Sequence, residues 1–234
     1  MIENKPSIYN AQSVYNQGGG GPVVEKIYTT QVMPDGKTWM RDALDFLPSE
    51  IKFNPDISQA AGSGNIGPAA WYPELDDGSV WGWNGRKGGL LYNWYAMKFL
   101  NDNRAQLFPG WHVPSKAEWD ALATSLGATW NGNYYTGYTN KLKSLDEDWF
   151  SGWNGTQEYC NIKPVGRITP STGGGGSYGG LGTISDCWST KTYSTQYMWT
   201  TPFDQSNNES GTGRTSFYDH YKSFTACSIM LVKD

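Results

Sequence analysis

Histidine is scarce: His112 and His220 are the only two in 234 residues. That count excludes multi-histidine metal centres and confines imidazole acid–base chemistry to two positions. Cysteine is nearly as rare. Cys160, Cys187 and Cys227 stand far apart with no C-x-x-C pair, which excludes zinc ribbons and dithiol redox motifs. Three buried apolar thiols are the simplest reading, with at most one disulfide as the alternative. Charged residues make up only 17% and the net charge is -4, so no basic footprint exists for neutralising phosphates and no nucleic-acid partner is expected. No stretch approaches the roughly 20 apolar residues that span a bilayer, and residues 1–30 hold no apolar core of a signal peptide. Membrane insertion is therefore not expected; work outside the producing cell would need lysis, assembly into a particle, or an export signal that these residues lack.

Catalytic signatures are equally thin. No G-x-S-x-G elbow occurs, and neither GGGG at 18–21 nor GGGG at 173–176 is followed by the Lys-Ser/Thr of a phosphate-binding loop. Both glycine runs read as flexible connections, and Asp146, Glu147 and Asp148 as a solvated acidic loop. The expectation is no catalytic residue, no metal and no cofactor.

What the chain does have is aromatic and glycine: 12 Trp, 15 Tyr and 29 Gly. This composition favours short strands and structured loops over long helices, with most tryptophans filling the core in place of leucine. Residues 1–24 are polar and end in GGGGPVV, the composition of an arm or linker that cannot order itself by burial. From Val24 the pattern alternates around a Pro34-Asp35-Gly36 turn, which predicts a β-hairpin opening a domain over 25–234. The Pro/Gly/Asn-rich stretch 41–80 shows no periodicity and reads as a long ordered insertion. LLYNWYAMKFL at 90–100 fits either a buried strand or a short helix. Ser115 and Glu118 form a capping box ahead of Trp119, Leu122 and Leu126, which predicts a helix over about 115–126 ended by Gly127. CWST, QYMWTTPF, RTSFYDH and CSIMLVKD in the last 47 residues predict a closing antiparallel meander.

Several landmarks come in a characteristic order: DGKTWM at 35–40, LYNWYAM at 91–97, GWHVPSKAEWDAL at 110–122, NKLKS with Trp149, CWST at 187–190 and KSFTACSIMLVKD at 222–234. In this the chain resembles the major paralogous domain first named from Fibrobacter succinogenes, a branch of the C-type-lectin-like superfamily. It departs from that family in carrying Met230-Leu231 where an Arg-Cys pair is usual, and in the length of 41–80. The resemblance implies an α+β, C-type-lectin-like fold with short antiparallel strands, long structured loops and one or two short helices.

Relatives include the variable receptor-binding proteins of diversity-generating retroelements, which display ligand contacts between the W-S-T element and the final strand. The corresponding stretch here is 191–222, rich in Tyr, Ser, Asn and Thr, the residue types that serve binding surfaces; a solvated β-meander would look the same. The contact candidates are Tyr193, Gln196, Tyr197, Trp199, Asp204, Asn207, Tyr218, Asp219, His220 and Tyr221. His112, inside the GWHVPS landmark, is expected to be a packed, hydrogen-bonded structural residue. The E-P-N and W-N-D signatures of calcium-dependent sugar binding are missing. Sulfatase-activating relatives need a second cysteine near Cys227, and iron-dependent ones need more histidines. The resemblance therefore implies a non-enzymatic virion-surface protein, a head- or tail-fibre component or receptor-binding module. Its partners would be a host-surface protein or glycan, and other virion proteins through residues 1–24. It would assemble as a homo-oligomer, with a trimer favoured. A bacterial surface or secreted adhesin is the alternative, and an enzyme related to the formylglycine-generating group a third.

Overall fold

The structure, a computed structural model, describes residues 7–13, 24–56, 66–73, 89–130, 132, 135–145, 155–170, 176–192, 197–204, 213–216 and 225–234. The Pro34-Asp35-Gly36 turn builds the hairpin that the alternation predicts. Strand β2 (Val24–Val32) pairs antiparallel with β3 (Thr38–Met40), and Gly36 takes φ +82°, the left-handed conformation that glycine adopts without penalty. Asp35 secures the turn twice: one carboxylate oxygen accepts from the Lys37 N–H and the other from the Trp39 indole, each at 3.0 Å. β1 (Ser7–Ser13) pairs antiparallel with β2 from Ser7–Thr30 to Ser13–Val24. Part of the polar arm is thus a sheet strand.

The stretch expected to be an insertion contributes to the core. β4 (Lys52–Phe53) runs parallel to β5 (Ala69–Trp71), and β5 pairs antiparallel with β6 (Leu91–Asn93). Leu44, Phe46, Ile51, Ala69, Ala70 and Trp71 are buried. Residues 90–100 resolve their ambiguity by being both strand and helix: β6 passes directly into α1 (Trp94–Asp102), whose N-cap Asn93 accepts from the Ala96 N–H. α2 (Arg104–Leu107) follows, then β7 (Trp111–His112) and α3 (Lys116–Ser125). Three short helices among the described residues exceed the one or two expected. α3 has both halves of the Ser115–Glu118 capping box, and at its end Ala128 N–H reaches Ala123 O while Gly127 N–H, at φ +85°, reaches Thr124 O.

The remaining strands are β8 (Thr129–Trp130) and β9 (Tyr135–Thr136), paired as a hairpin, then β10 (Val165–Pro170), β11 (Gly176–Leu181), β12 (Ile184–Thr192), β13 (Tyr197–Asp204), β14 (Gly213–Ser216), β15 (Ala226–Cys227) and β16 (Val232–Lys233), with a 3-10 turn over Thr139–Lys141. One sheet has the order β1-β2-β3-β16-β7. The larger has the order β14-β13-β12-β10-β15-β6-β5-β4, with β11 on β10. The predicted meander is therefore only part of the C-terminal arrangement: β12, β13 and β14 form it, while β15 and β16 leave for positions between other strands.

Two large apolar clusters hold the sheets and helices together. One gathers Tyr28, Leu44, Tyr92, Met97, Phe108, Trp111 and Trp188; the other gathers Trp39, Trp119, Leu122, Tyr138, Cys187 and Phe203. Tryptophan joins them with its polar edge satisfied. Trp188 donates to Tyr92 O at 2.7 Å, Trp119 donates to Trp188 O at 3.2 Å, and the Trp39 and Trp119 rings lie 4.9 Å apart. Cys160, Cys187 and Cys227 are buried free thiols, as their spacing suggests.

Candidate functional site

Strand β13 carries the described part of the stretch expected to display ligand contacts. Its centre is core: Thr200, Thr201 and Phe203 are buried, and Phe203 packs edge-on against Trp119 at 6.2 Å between ring centroids. Part of the stretch 191–222, the buried residues of β13, is therefore core and not an outward face. Trp199 is half-buried beside this anchor, with the Lys116 ammonium 4.8 Å from its ring centroid. Lys116 is itself paired with Asp120 one helical turn along. Thr190 N–H donates to Pro114 O at 3.0 Å, so the end of β12 is tied to the residue just before the helix cap. Tyr197 and Asp204 are the first and last residues of β13, opposite Ser216 and Ile184. Tyr193, Gln196, Asn207, Tyr218, Asp219, His220 and Tyr221 lie outside the described residues.

The GWHVPS-x-x-EW element packs a charge network around Glu118. One carboxylate oxygen faces Lys37 Nζ at 2.6 Å and His112 Nε2 at 2.9 Å. The other accepts from the Ser115 N–H at 2.8 Å and the Ser115 hydroxyl at 2.9 Å. His112 Nδ1 lies 2.6 Å from the Asp234 carboxylate, so the histidine bridges the helix cap and Asp234. This is the hydrogen-bonded structural histidine expected from the sequence. Burial alone would raise the Glu118 carboxyl, but the hydrogen bonds from Lys37, Ser115 and His112 outweigh it and bring the pKa down to about 2.

Serine, histidine and an acid within one motif invite comparison with a hydrolytic triad, and the geometry argues against it. The Ser115 hydroxyl points at Glu118 rather than at the imidazole, and both histidine nitrogens face carboxylates. A carboxylate ionised down to about pH 2 with its oxygens occupied is a poor proton acceptor. What the arrangement does is fasten the first hairpin, β7, α3 and Asp234 together.

A second charged pair lies inside the larger sheet. Asp186 on β12 is buried, and one of its oxygens is 2.9 Å from the partly exposed Arg167 guanidinium of β10. Burial pushes its carboxyl up, with Arg167 offsetting part of the rise. The three thiols are also pushed up, chiefly by burial, which leaves them protonated and unreactive. Sequence reasoning missed Lys37, Lys116, Asp234 and Arg167 as site-building groups, and weighed Asp186 only as the acid of a triad, whereas it pairs with Arg167. Only Asp186 carried a local signal, a lone acid beside the apolar Cys187-Trp188. Lys37 and Glu118 meet across 81 residues, which no local pattern reports.

Among the described residues, no group of three or more His, Cys, Asp or Glu is placed to hold a metal ion, and no helix is long and apolar enough to cross a membrane. No family model, curated protein sequence or solved structure matches the chain.

Proposed function

We propose that this chain is a non-enzymatic binding module with a C-type-lectin-like fold, carried on a virion as a head- or tail-fibre component or receptor-binding module. The observation that carries the reading is the way β13 is held. Thr200, Thr201 and Phe203 are core, Phe203 packs against Trp119, and the neighbouring β12 is tied to the residue before the α3 cap, so β13 is a fixed base. A scaffold that needs no ordering of its own lowers the entropic cost of binding for the contacts it carries. The occupied Glu118 network and the inert thiols support recognition rather than catalysis. The partner is a host-surface protein or glycan, contacted weakly by each copy and strongly by several in an oligomer, a trimer in the favoured case, assembled with other virion proteins through residues 1–24.

Adsorption of the labelled, purified protein to a panel of bacterial cells tests this reading. Replacing Tyr193, Tyr197 and Tyr218 together by Ala should abolish adsorption to the responsive strain while leaving the melting temperature unchanged. Adsorption that survives this triple replacement, or a protein that adsorbs to no strain, would defeat the proposal.

A further inference from the structure

The sheet β1-β2-β3-β16-β7 ends at a strand whose pairing is defined but whose connection is loose. β1 meets β2 in antiparallel register from Ser7–Thr30 to Ser13–Val24, and among the described strands it pairs with no other. The β2 edge is built without it: β2 is held from the other side by β3, through Thr30–Met40, Gln31–Trp39 and Val32–Thr38, and the Arg41 N–H donates to Thr29 O at 2.9 Å. The ladder shows that a β1 segment fits this edge; it does not tie that segment to the same chain. Hairpin connections usually take about 2–5 residues, and such a turn chooses the register and the partner together. Here the connection is residues 14–23, ten residues that include Gly18–Gly21 and Pro22. At full extension ten residues reach roughly 33 Å, enough to deliver β1 to a neighbouring molecule. β1 itself, SIYNAQS, has none of the Lys, Glu or Pro with which edge strands refuse foreign partners.

We infer that β1 is an exchanged strand: in the assembled protein, β1 of one copy pairs with β2 of a neighbouring copy. The partner is a second copy of this chain, and the inference rests on the homo-oligomer proposed above, for which it supplies the joint. Exchange keeps every ladder bond, because each β2 edge is filled in the same register by an identical strand. Its cost is therefore the freedom lost by joining molecules rather than any lost contact. Closing a ten-residue connection within one chain costs more entropy than closing a tight turn, which narrows the advantage of self-pairing. Once other contacts hold copies together, the neighbour's β2 competes at a comparable effective concentration. Passing β1 one way round a ring closes a trimer, whereas reciprocal exchange closes a dimer. Pairing of two β1 strands along their outer edges would need a second ladder, while the fit of β1 to the β2 edge is already displayed.

Light scattering and disulfide trapping on the full chain test the exchange. Replacing residues 14–23 by Asn-Gly joins Ser13 to Val24, a register pair, through a two-residue turn that directs β1 to its own β2. The parent should be an oligomer in solution, and this variant a monomer with the melting temperature kept. For trapping, Asn10→Cys on one copy and Ile27→Cys on a differently tagged, co-expressed copy should yield a mixed disulfide that carries both tags. Ala11→Cys with Lys26→Cys repeats the test at the adjoining register pair, because neighbouring pairs alternate in cross-strand spacing and one of the two suits a disulfide better. The chain's own thiols are buried and stay out of the reaction. Trapping needs no shortened connection, so it decides the matter should the Asn-Gly variant fail to fold. An oligomeric parent that gives no mixed disulfide at either pair, or an Asn-Gly variant that keeps the parent's mass, would overturn the exchange and leave the proposed oligomer standing. A monomeric parent would overturn both, while adsorption to cells judges recognition separately.

Discussion

At the scale of single residues, two carboxylates depend on pH with opposite sign. Glu118 has a folded-state pKa of about 2, below the ordinary glutamate value, so its stabilisation is complete above the unfolded pKa and is lost as pH falls from there towards about 2. Glu118→Gln keeps the capping shape but loses the charge that Lys37 and His112 face. It should cost about 1–2 kcal/mol at neutral pH, and less near pH 2, in urea unfolding followed by circular dichroism. Asp186 behaves in reverse. Its folded-state pKa is raised, so its contribution to stability falls as pH climbs from the unfolded value through the folded one. Asp186→Asn should therefore stay within about 1 kcal/mol of the parent at neutral pH, because Arg167 is exposed enough to be solvated alone. An acid limb of unfolding unchanged in Glu118→Gln would refute the first expectation.

At the scale of elements, α3 shows why some structure is legible locally. Its start is written in Ser115 and Glu118, three residues apart, and its stop in Gly127, so the helix needs no distant residue to be recognised. Ser115→Ala should cost about 1 kcal/mol, a fall in melting temperature of about 2–4 °C for a chain of this size. Two glycines of similar φ offer a sharper comparison. An added Cβ at Gly127 meets nothing within 4 Å, whereas at Gly89 it would lie 2.8 Å from Leu44 O and 2.9 Å from Ala43 Cβ. Gly127→Ala should lose about 1 kcal/mol from backbone strain alone. Gly89→Ala should lose distinctly more in the same thermal melts, because the 43–44 backbone has to move. The stretch 41–56 was illegible for a related reason. Leu44, Phe46 and Ile51 enter the core from irregular backbone with no period of 2 or 3.6 for a pattern to reveal.

At the scale of the whole molecule, sheet order sets what can be removed. β16 immediately precedes Asp234, yet it sits between β3 and β7, with Val232 opposite both Trp39 and His112. β1 pairs only with β2 among the described strands. Deleting residues 232–234 should leave an insoluble or unfolded protein, whereas deleting residues 1–13 should preserve a cooperative melt. The reverse outcome in parallel expression and melting experiments would contradict the strand order. The thiols give a second global readout: Cys160, Cys187 and Cys227 should react with an aromatic disulfide reagent only after denaturation.

The order of residues along the chain was enough for the first hairpin, helix α3, a tryptophan-filled interior, three buried thiols and a structural His112, because each follows from turn chemistry, caps or composition that neighbouring residues express. Tertiary structure alone decided that β15 lies between β10 and β6, that β16 closes the first sheet, that Lys37 reaches Glu118, and that the centre of β13 is core. Those outcomes are choices among non-local partners. They are made by the joint burial of apolar surface from segments dozens of residues apart, a competition that no short window of sequence contains.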